Sequence, residues 1–349
     1  MDVAHCYLDG NADAVEFCPH GAFRNVLAAS TYTLQEGKQP SRSGSISLFD
    51  VDAYNHRLEL LHRVETAGIF DIKWNPVGDN SSPLLAQSDA DGFLRIYGLE
   101  CGADGLTAAG AFLRESGSLC VSSHMCLCLD WHPSATSVSV GHSDGSVSII
   151  SLSDSHLRVQ EQWKAHEFEL WTTSFDIQRP YLLYTGSDDC KFICWDLRTS
   201  PSAPAFQNSK AHKMGVCCIV KNPNDLHALL TGSYDEHLRI WDVRAISKPV
   251  NEASICLGGG VWRMKYHPFV SGLVLAACMH NGFAIVRIND GNAEVTETYS
   301  KHGSLAYGAD WQIGRSESKD EGKNNLVATC SFYDRLLRVW ISESAGTFC

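Results

Sequence analysis

Short turns of the Asp-Gly type recur along this chain, and the residue just before each turn is often one that can do chemistry. In order these residues are Ala90, Ser143, Asp188, Tyr234, His280 and Tyr333. A second group stands shortly before apolar, strand-like runs: His166, Glu167, Glu169, Gly258 to Gly260, Trp262 and His302. Carboxylates, imidazoles, phenols and a hydroxyl are the parts from which a nucleophile, a general base and an oxyanion donor are made. A polar rim that docks a partner is the competing reading of the same residues. Gly141-His-Ser-Asp-Gly145 matches G-x-S-x-G. That motif serves as a nucleophile elbow only between a strand and a helix. Here it falls between two strand-like runs, where a Ser-Asp-Gly turn accounts for it, so Ser143 is the weaker nucleophile. Cys126-x-Cys128 has no second pair, and no zinc site or other metal is expected.

The elements that must hold these residues are two strand series in phase. One carries an aromatic or apolar residue in its fifth place at 49, 97, 150, 195, 241 and 340, with Arg287 in the sixth copy, as in Lys191-Phe-Ile-Cys-Trp-Asp196 and His237-Leu-Arg-Ile-Trp-Asp242. The other includes Lys73-Trp-Asn-Pro76, Asp130-Trp-His-Pro133 and Lys265-Tyr-His-Pro268. Period-two alternation marks each run as a β-strand, and proline ends the strands of the second series because it cannot continue a ladder. Hairpins are expected at Asp91-Gly92, Asp144-Gly145, Asp235-Glu236 and Asn281-Gly282. Three stretches, roughly 31–43, 99–118 and 312–325, read as surface loops.

The 349 residues carry 28 basic and 40 acidic side chains, a formal net charge of −12. That balance disfavours a phosphate-backbone binder. Hydrophobic residues make up 44% and charged ones 19%, which excludes disorder as a description of the whole chain. No 18-residue apolar run and no secretory signal are read, so no membrane span and a cytoplasmic location are expected. The 14 cysteines, many within apolar runs, read as reduced, small hydrophobes.

These repeats resemble WD-repeat β-propellers over the whole chain. The resemblance implies an all-β, seven-bladed WD40-type ring forming a single domain over 1–349. Its repeats span about 10–50, 68–99, 124–152, 166–198, 212–244, 258–288 and 302–341. A propeller must close because open sheet edges are a liability. Residues 2–9 are therefore expected to complete the last blade. The resemblance also implies a hydrogen-bonded brace within a blade, here His166, Ser187, Asp189 and Trp195, and His212, Ser233, Asp235 and Trp241. It puts the turn residues and the pre-strand residues on one face around the channel.

Ala165-His-Glu-Phe-Glu-Leu-Trp171, Thr231-Gly-Ser-Tyr-Asp-Glu-His237, Gly259-Gly-Val-Trp-Arg263, Tyr307-Gly-Ala-Asp-Trp311 and Ala328-Thr-Cys-Ser-Phe-Tyr-Asp334 narrow the resemblance. They resemble the diphthine methylesterase family of diphthamide biosynthesis. That implies hydrolysis of the methyl ester of methylated diphthine on translation elongation factor two, yielding diphthine for amidation, with no cofactor. The expected site has water activated by His166 or His280, assisted by Glu167 or Asp188, with Tyr234 or Tyr333 donating to the oxyanion. Glu169, Trp262 and Phe332 are expected to bind substrate, whose fixed trimethylammonium suits aromatic faces. A non-enzymatic WD-repeat adaptor, such as a ubiquitin-ligase substrate receptor, is the alternative.

Overall fold

The computed structural model describes the chain outside residues 38–39, 77–81, 102–109, 154–155, 200–202, 290, 314–324 and 345–349. Among the described residues the strands form seven antiparallel sheets arranged as blades. Blade four shows the plan: Leu170–Phe175 innermost, then Leu182–Ser187, Phe192–Asp196 and Phe206–Asn208 outward. The other inner strands are Ala12–Phe17, Ile69–Trp74, Cys126–Trp131, Val216–Lys221, Arg263–Tyr266 and Ala306–Trp311. Each touches the inner strand of the next blade, and the first touches the last, so the ring closes.

Closure follows the sequence expectation. Asp2–Tyr7 pairs antiparallel with Leu336–Ile341 as the outer strand of blade seven. Asp2 then accepts hydrogen bonds from Tyr299 Oη at 2.7 Å and Lys301 Nζ at 2.8 Å, which tie this strand to blade six. Two of the expected loops prove partly structured. Phe112–Cys120 is the outer strand of blade two, and Thr33–Gln35 pairs with Ser41–Asp52 in blade one. Composition rich in Gly and Ser hid them, because exposed outer strands carry little apolar signal. Residues 102–109 and 314–324 lie outside the described residues.

The blades are stitched at the proline end of the channel. The indole N–H groups of Trp74, Trp131 and Trp311 donate to the carbonyls of Glu16, Lys73 and Lys265 on the preceding blades. At the opposite end the hairpins need a left-handed residue after each Asp or Asn. Gly92, Gly145 and Gly282 adopt φ of 82°, 84° and 70°, and Cys190, Glu236 and Arg335 take the same region. Among the described residues no helix is long and apolar enough to cross a membrane.

Candidate functional site

The inner strands share a register, and it sorts the channel lining into bands. Four residues before the closing position of each inner strand stand Asp13, Phe70, Leu127, Trp171, Cys217, Trp262 and Tyr307. These form the band nearest the hairpin face. One step deeper lie Asp71 and Arg263, whose Oδ1 and Nη1 are 2.8 Å apart across the channel. Toward the proline end, Lys73 pairs with Asp130 at 3.0 Å and Lys265 with Glu16.

The upper band joins the hairpin residues into a continuous aromatic cup. Trp262 stacks on Tyr307 with centroids 4.9 Å apart, and meets Trp171 at 5.5 Å and Tyr234 at 5.8 Å. Tyr307 leads on to Phe332 at 5.2 Å, and Phe332 to Tyr32 at 6.0 Å. Tyr32 in turn packs on Phe70 at 4.8 Å. Gly260 permits this closure, since a β-carbon there would lie 3.3 Å from the Tyr234 ring and 2.7 Å from Met279 Sδ.

Carboxylates surround and underlie the rings. Asp188 Oδ1 accepts from Trp171 Nε1 at 3.3 Å on the rim. Asp13, only 4% exposed, sits in the upper band, and its Oδ1 has no hydrogen-bond partner among the described residues. Burial raises the Asp13 carboxyl to about 8, Arg263 opposing and Asp71 reinforcing. Burial also pushes the Tyr234 and Tyr307 phenols upward, so both stay protonated donors near neutrality. It drives the Cys217 thiol well above its ordinary value, which removes that cysteine as a thiolate nucleophile.

The residues anticipated from sequence divide into three groups. Tyr234, Trp262 and Phe332 come together in the cup. Glu167 and Asp188 are exposed on its rim, with Glu169 half-buried between them, while Tyr333, 69% exposed, meets Phe332 edge-on at 5.0 Å. His280 is exposed in an adjoining groove that Tyr333, Ser304 and Gly303 also line. Ser143 lies in the β-hairpin of blade three, between Ser137–His142 and Ser146–Ser153, so no elbow forms.

His166 requires correction. It is 2% exposed, with Nδ1 3.1 Å from Asp189 and Nε2 2.8 Å from Thr185 Oγ1. No ring nitrogen is left to activate water. Its brace also differs from the expected one: Trp195 Nε1 donates to Thr185 at 2.9 Å, while Ser187 Oγ donates to the Phe168 carbonyl. Thr231 takes the same part between His212 and Trp241, and Thr329 between His302 and Trp340. His302 is therefore a brace residue of blade seven, half-buried at the wall of the groove that His280 and Tyr333 line.

Asp13, Tyr32, Phe70 and Tyr307 escaped assignment from sequence. Counting four residues back from the end of each inner strand finds all but Tyr32. Phe168 and Met214, 57% and 52% exposed on the loops before blades four and five, add apolar surface to the rim.

The fold and this channel mouth define a seven-bladed propeller of the WD-repeat class. Residues 206–242 match the WD40 family described as "WD domain, G-beta repeat". One chain of a crystal structure of the mitotic checkpoint complex superposes with a TM-score of 0.73 at 15% identity, covering 98% of this chain and 94% of that one; this likeness shows the fold alone. The chain is 31% identical to the diphthine methyltransferase homolog of Dictyostelium discoideum, over 96% of this chain and 97% of that protein. It is 36% identical to the diphthine methyltransferase of Mus musculus, over 86% of this chain and 67% of that protein. The chain belongs to the diphthine methyltransferase family. These relatives are named methyltransferases, where the loop strings suggested methylesterase.

Proposed function

We propose that this protein hydrolyses the methyl ester of methylated diphthine on translation elongation factor two, leaving diphthine for amidation. The observation that carries this reading is the aromatic cup of Trp171, Tyr234, Trp262, Tyr307 and Phe332, with Asp188 on its rim. Ring faces and the Asp188 carboxylate on the rim attract a fixed trimethylammonium without needing hydrogen-bond donors. The protonated phenols of Tyr234 and Tyr307 are placed to donate to an ester oxygen. Around the cup, Phe168, Met214, Tyr333, Glu167 and His280 offer mixed apolar and polar contacts for the protein that carries the modified side chain. Relatives named for diphthine and for a methyl group agree with a substrate of this kind.

The test is incubation of the purified chain with methylated elongation factor in heavy-oxygen water. Loss of one methylene unit of mass, release of methanol and label in the new carboxylate are expected. A gain of a methyl group, label in the methanol, or an unchanged protein would each overturn the reading; the last would favour the adaptor.

A further inference from the structure

Two buried polar atoms of the channel have no hydrogen-bond partner among the described residues: the acceptor Asp13 Oδ1 and the donor Arg263 Nε. Orphaned buried polar atoms are rare, and a carboxyl held this way costs stability. Arg263 already gives Nη1 to Asp71, so Asp13 is left with a nearby charge and no direct bond. Asp13 is the only ionisable carboxyl in its band, the other members being Phe70, Leu127, Trp171, Cys217, Trp262 and Tyr307. Asp13 shares the upper band with Tyr307 and Trp262, and its charge helps raise the phenols of both Tyr234 and Tyr307. The alternatives for water activation are elsewhere: His166 is sealed in its blade, Ser143 lies in a hairpin, and His280 lines the adjoining groove and not the cup's upper band.

We propose that Asp13 is the base that takes a proton from the attacking water, and that Arg263 Nε–H receives the charge developing on the ester oxygen. The inference rests on the ester-hydrolase reading above. In the step, the water oxygen forms a bond to the ester carbonyl carbon while one of its protons passes to the Asp13 carboxylate. The carbonyl electron pair moves onto oxygen, facing the guanidinium. Collapse breaks the bond to the methoxy group, which takes the proton back from Asp13 and leaves as methanol. The new carboxylic acid gives its remaining proton to solvent, and Asp13 is regenerated as the carboxylate. Its elevated affinity for protons suits it to move one near neutral pH.

The test is Asp13→Asn, which keeps the shape and removes the base. With methylated elongation factor as substrate, kcat should fall roughly a hundred- to ten-thousand-fold, with KM little changed. Tetramethylammonium, which carries the cation and no ester, should quench tryptophan fluorescence equally in both proteins. The thermal midpoint of the variant should match or exceed that of the wild type, which separates a chemical defect from misfolding. A raised KM with unchanged kcat would make Asp13 a counter-ion and overturn the proposal, as would full activity. If the wild type releases no methanol, the hydrolase reading itself fails; if it does and the variant does too, only the assignment of Asp13 falls.

Discussion

Arg263 of blade six and Asp71 of blade two meet inside the channel, Nη1 to Oδ1 at 2.8 Å, although 192 residues separate them in sequence. Asp71 Oδ2 also accepts from the Leu129 amide at 3.2 Å, so one carboxylate links blades two, three and six. Removing one partner of a buried pair strands the other charge, at about 3–5 kcal/mol. Arg263→Met, which takes the guanidinium away from both Asp71 and Asp13, should lose that much in urea denaturation. A loss below about 1 kcal/mol, the range of an exposed pair, would show that the channel does not depend on this contact.

The braces make a separate prediction. Thr185→Val keeps the shape of the side chain but removes the oxygen shared by His166 and Trp195. Two buried donors or acceptors then lose a partner, at about 1–3 kcal/mol each. Chemical denaturation should show the loss, while kcat per folded molecule stays at the wild-type value. A fall in kcat without a fall in stability would return His166 to the catalytic machinery.

The ring was legible in the sequence because strand periodicity and turn chemistry are local signals. Trp195-Asp196 and Trp241-Asp242 set the repeat, and the need to close a sheet edge placed Asp2–Tyr7 in blade seven. Which hydroxyl serves the brace was not legible. Thr185 and Ser187 are two apart on one strand and face the same way, so alternation does not choose between them. Asp13 was overlooked because Ala-Asp-Ala-Val-Glu-Phe reads as an ordinary strand. Its isolation appears only when seven strands are set in register and its neighbours prove to be rings, a leucine and a thiol. Tyr32 follows a strand of blade one and reaches the cup through Phe332 and Phe70, a tertiary contact without any sequence spacing.

Trp262 is the hub of the cup, touching Trp171, Tyr234 and Tyr307. Trp262→Leu keeps apolar volume and removes the best ring for a cation. A cation–π contact is worth about 0.5–2 kcal/mol, so binding of the methylated substrate should weaken roughly 2- to 30-fold. Isothermal titration in an Asp13→Asn background, where turnover is expected to be at least about a hundred-fold slower, reads this directly. An isosteric ligand with a neutral tert-butyl group in place of the trimethylammonium should be insensitive to the substitution. Equal losses for both ligands would mean that the cup recognises shape and not charge.

Removing residues 1–10 takes the outer strand from blade seven and strips the partners from Leu336–Ile341. It also removes Asp2 from Tyr299 and Lys301, freeing blade six from its neighbour. The thermal midpoint should fall by several degrees, and exchange of the Val339 and Ile341 amides, which face the deleted strand, should accelerate. An unchanged melting curve would mean that the ring holds without this strand.

The pH dependence of stability isolates Asp13 from the other buried groups. Burial holds His142, His212 and His302 down to about 4, so each contributes stability that is present above pH 6.5 and lost as pH falls toward 4. Asp13 works in the opposite sense. Its folded carboxyl, raised to about 8, keeps a proton that the unfolded chain has released, so its contribution is full at low pH and lost as pH rises through 8. Glu16, raised by burial, follows the same sign and Lys221, lowered by burial to about 8, the opposite one; both are common to the wild type and Asp13→Asn, so the difference between the two profiles reads Asp13. Between pH 7 and 8 the histidines are silent, and Asp13 should cost the wild type about 1 kcal/mol. Urea denaturation across that interval should show a decline in the wild type that is about 1 kcal/mol steeper than in Asp13→Asn. Parallel profiles would mean that Asp13 ionises as freely in the folded channel as in the unfolded chain, and the base beneath the cup would have to be sought elsewhere.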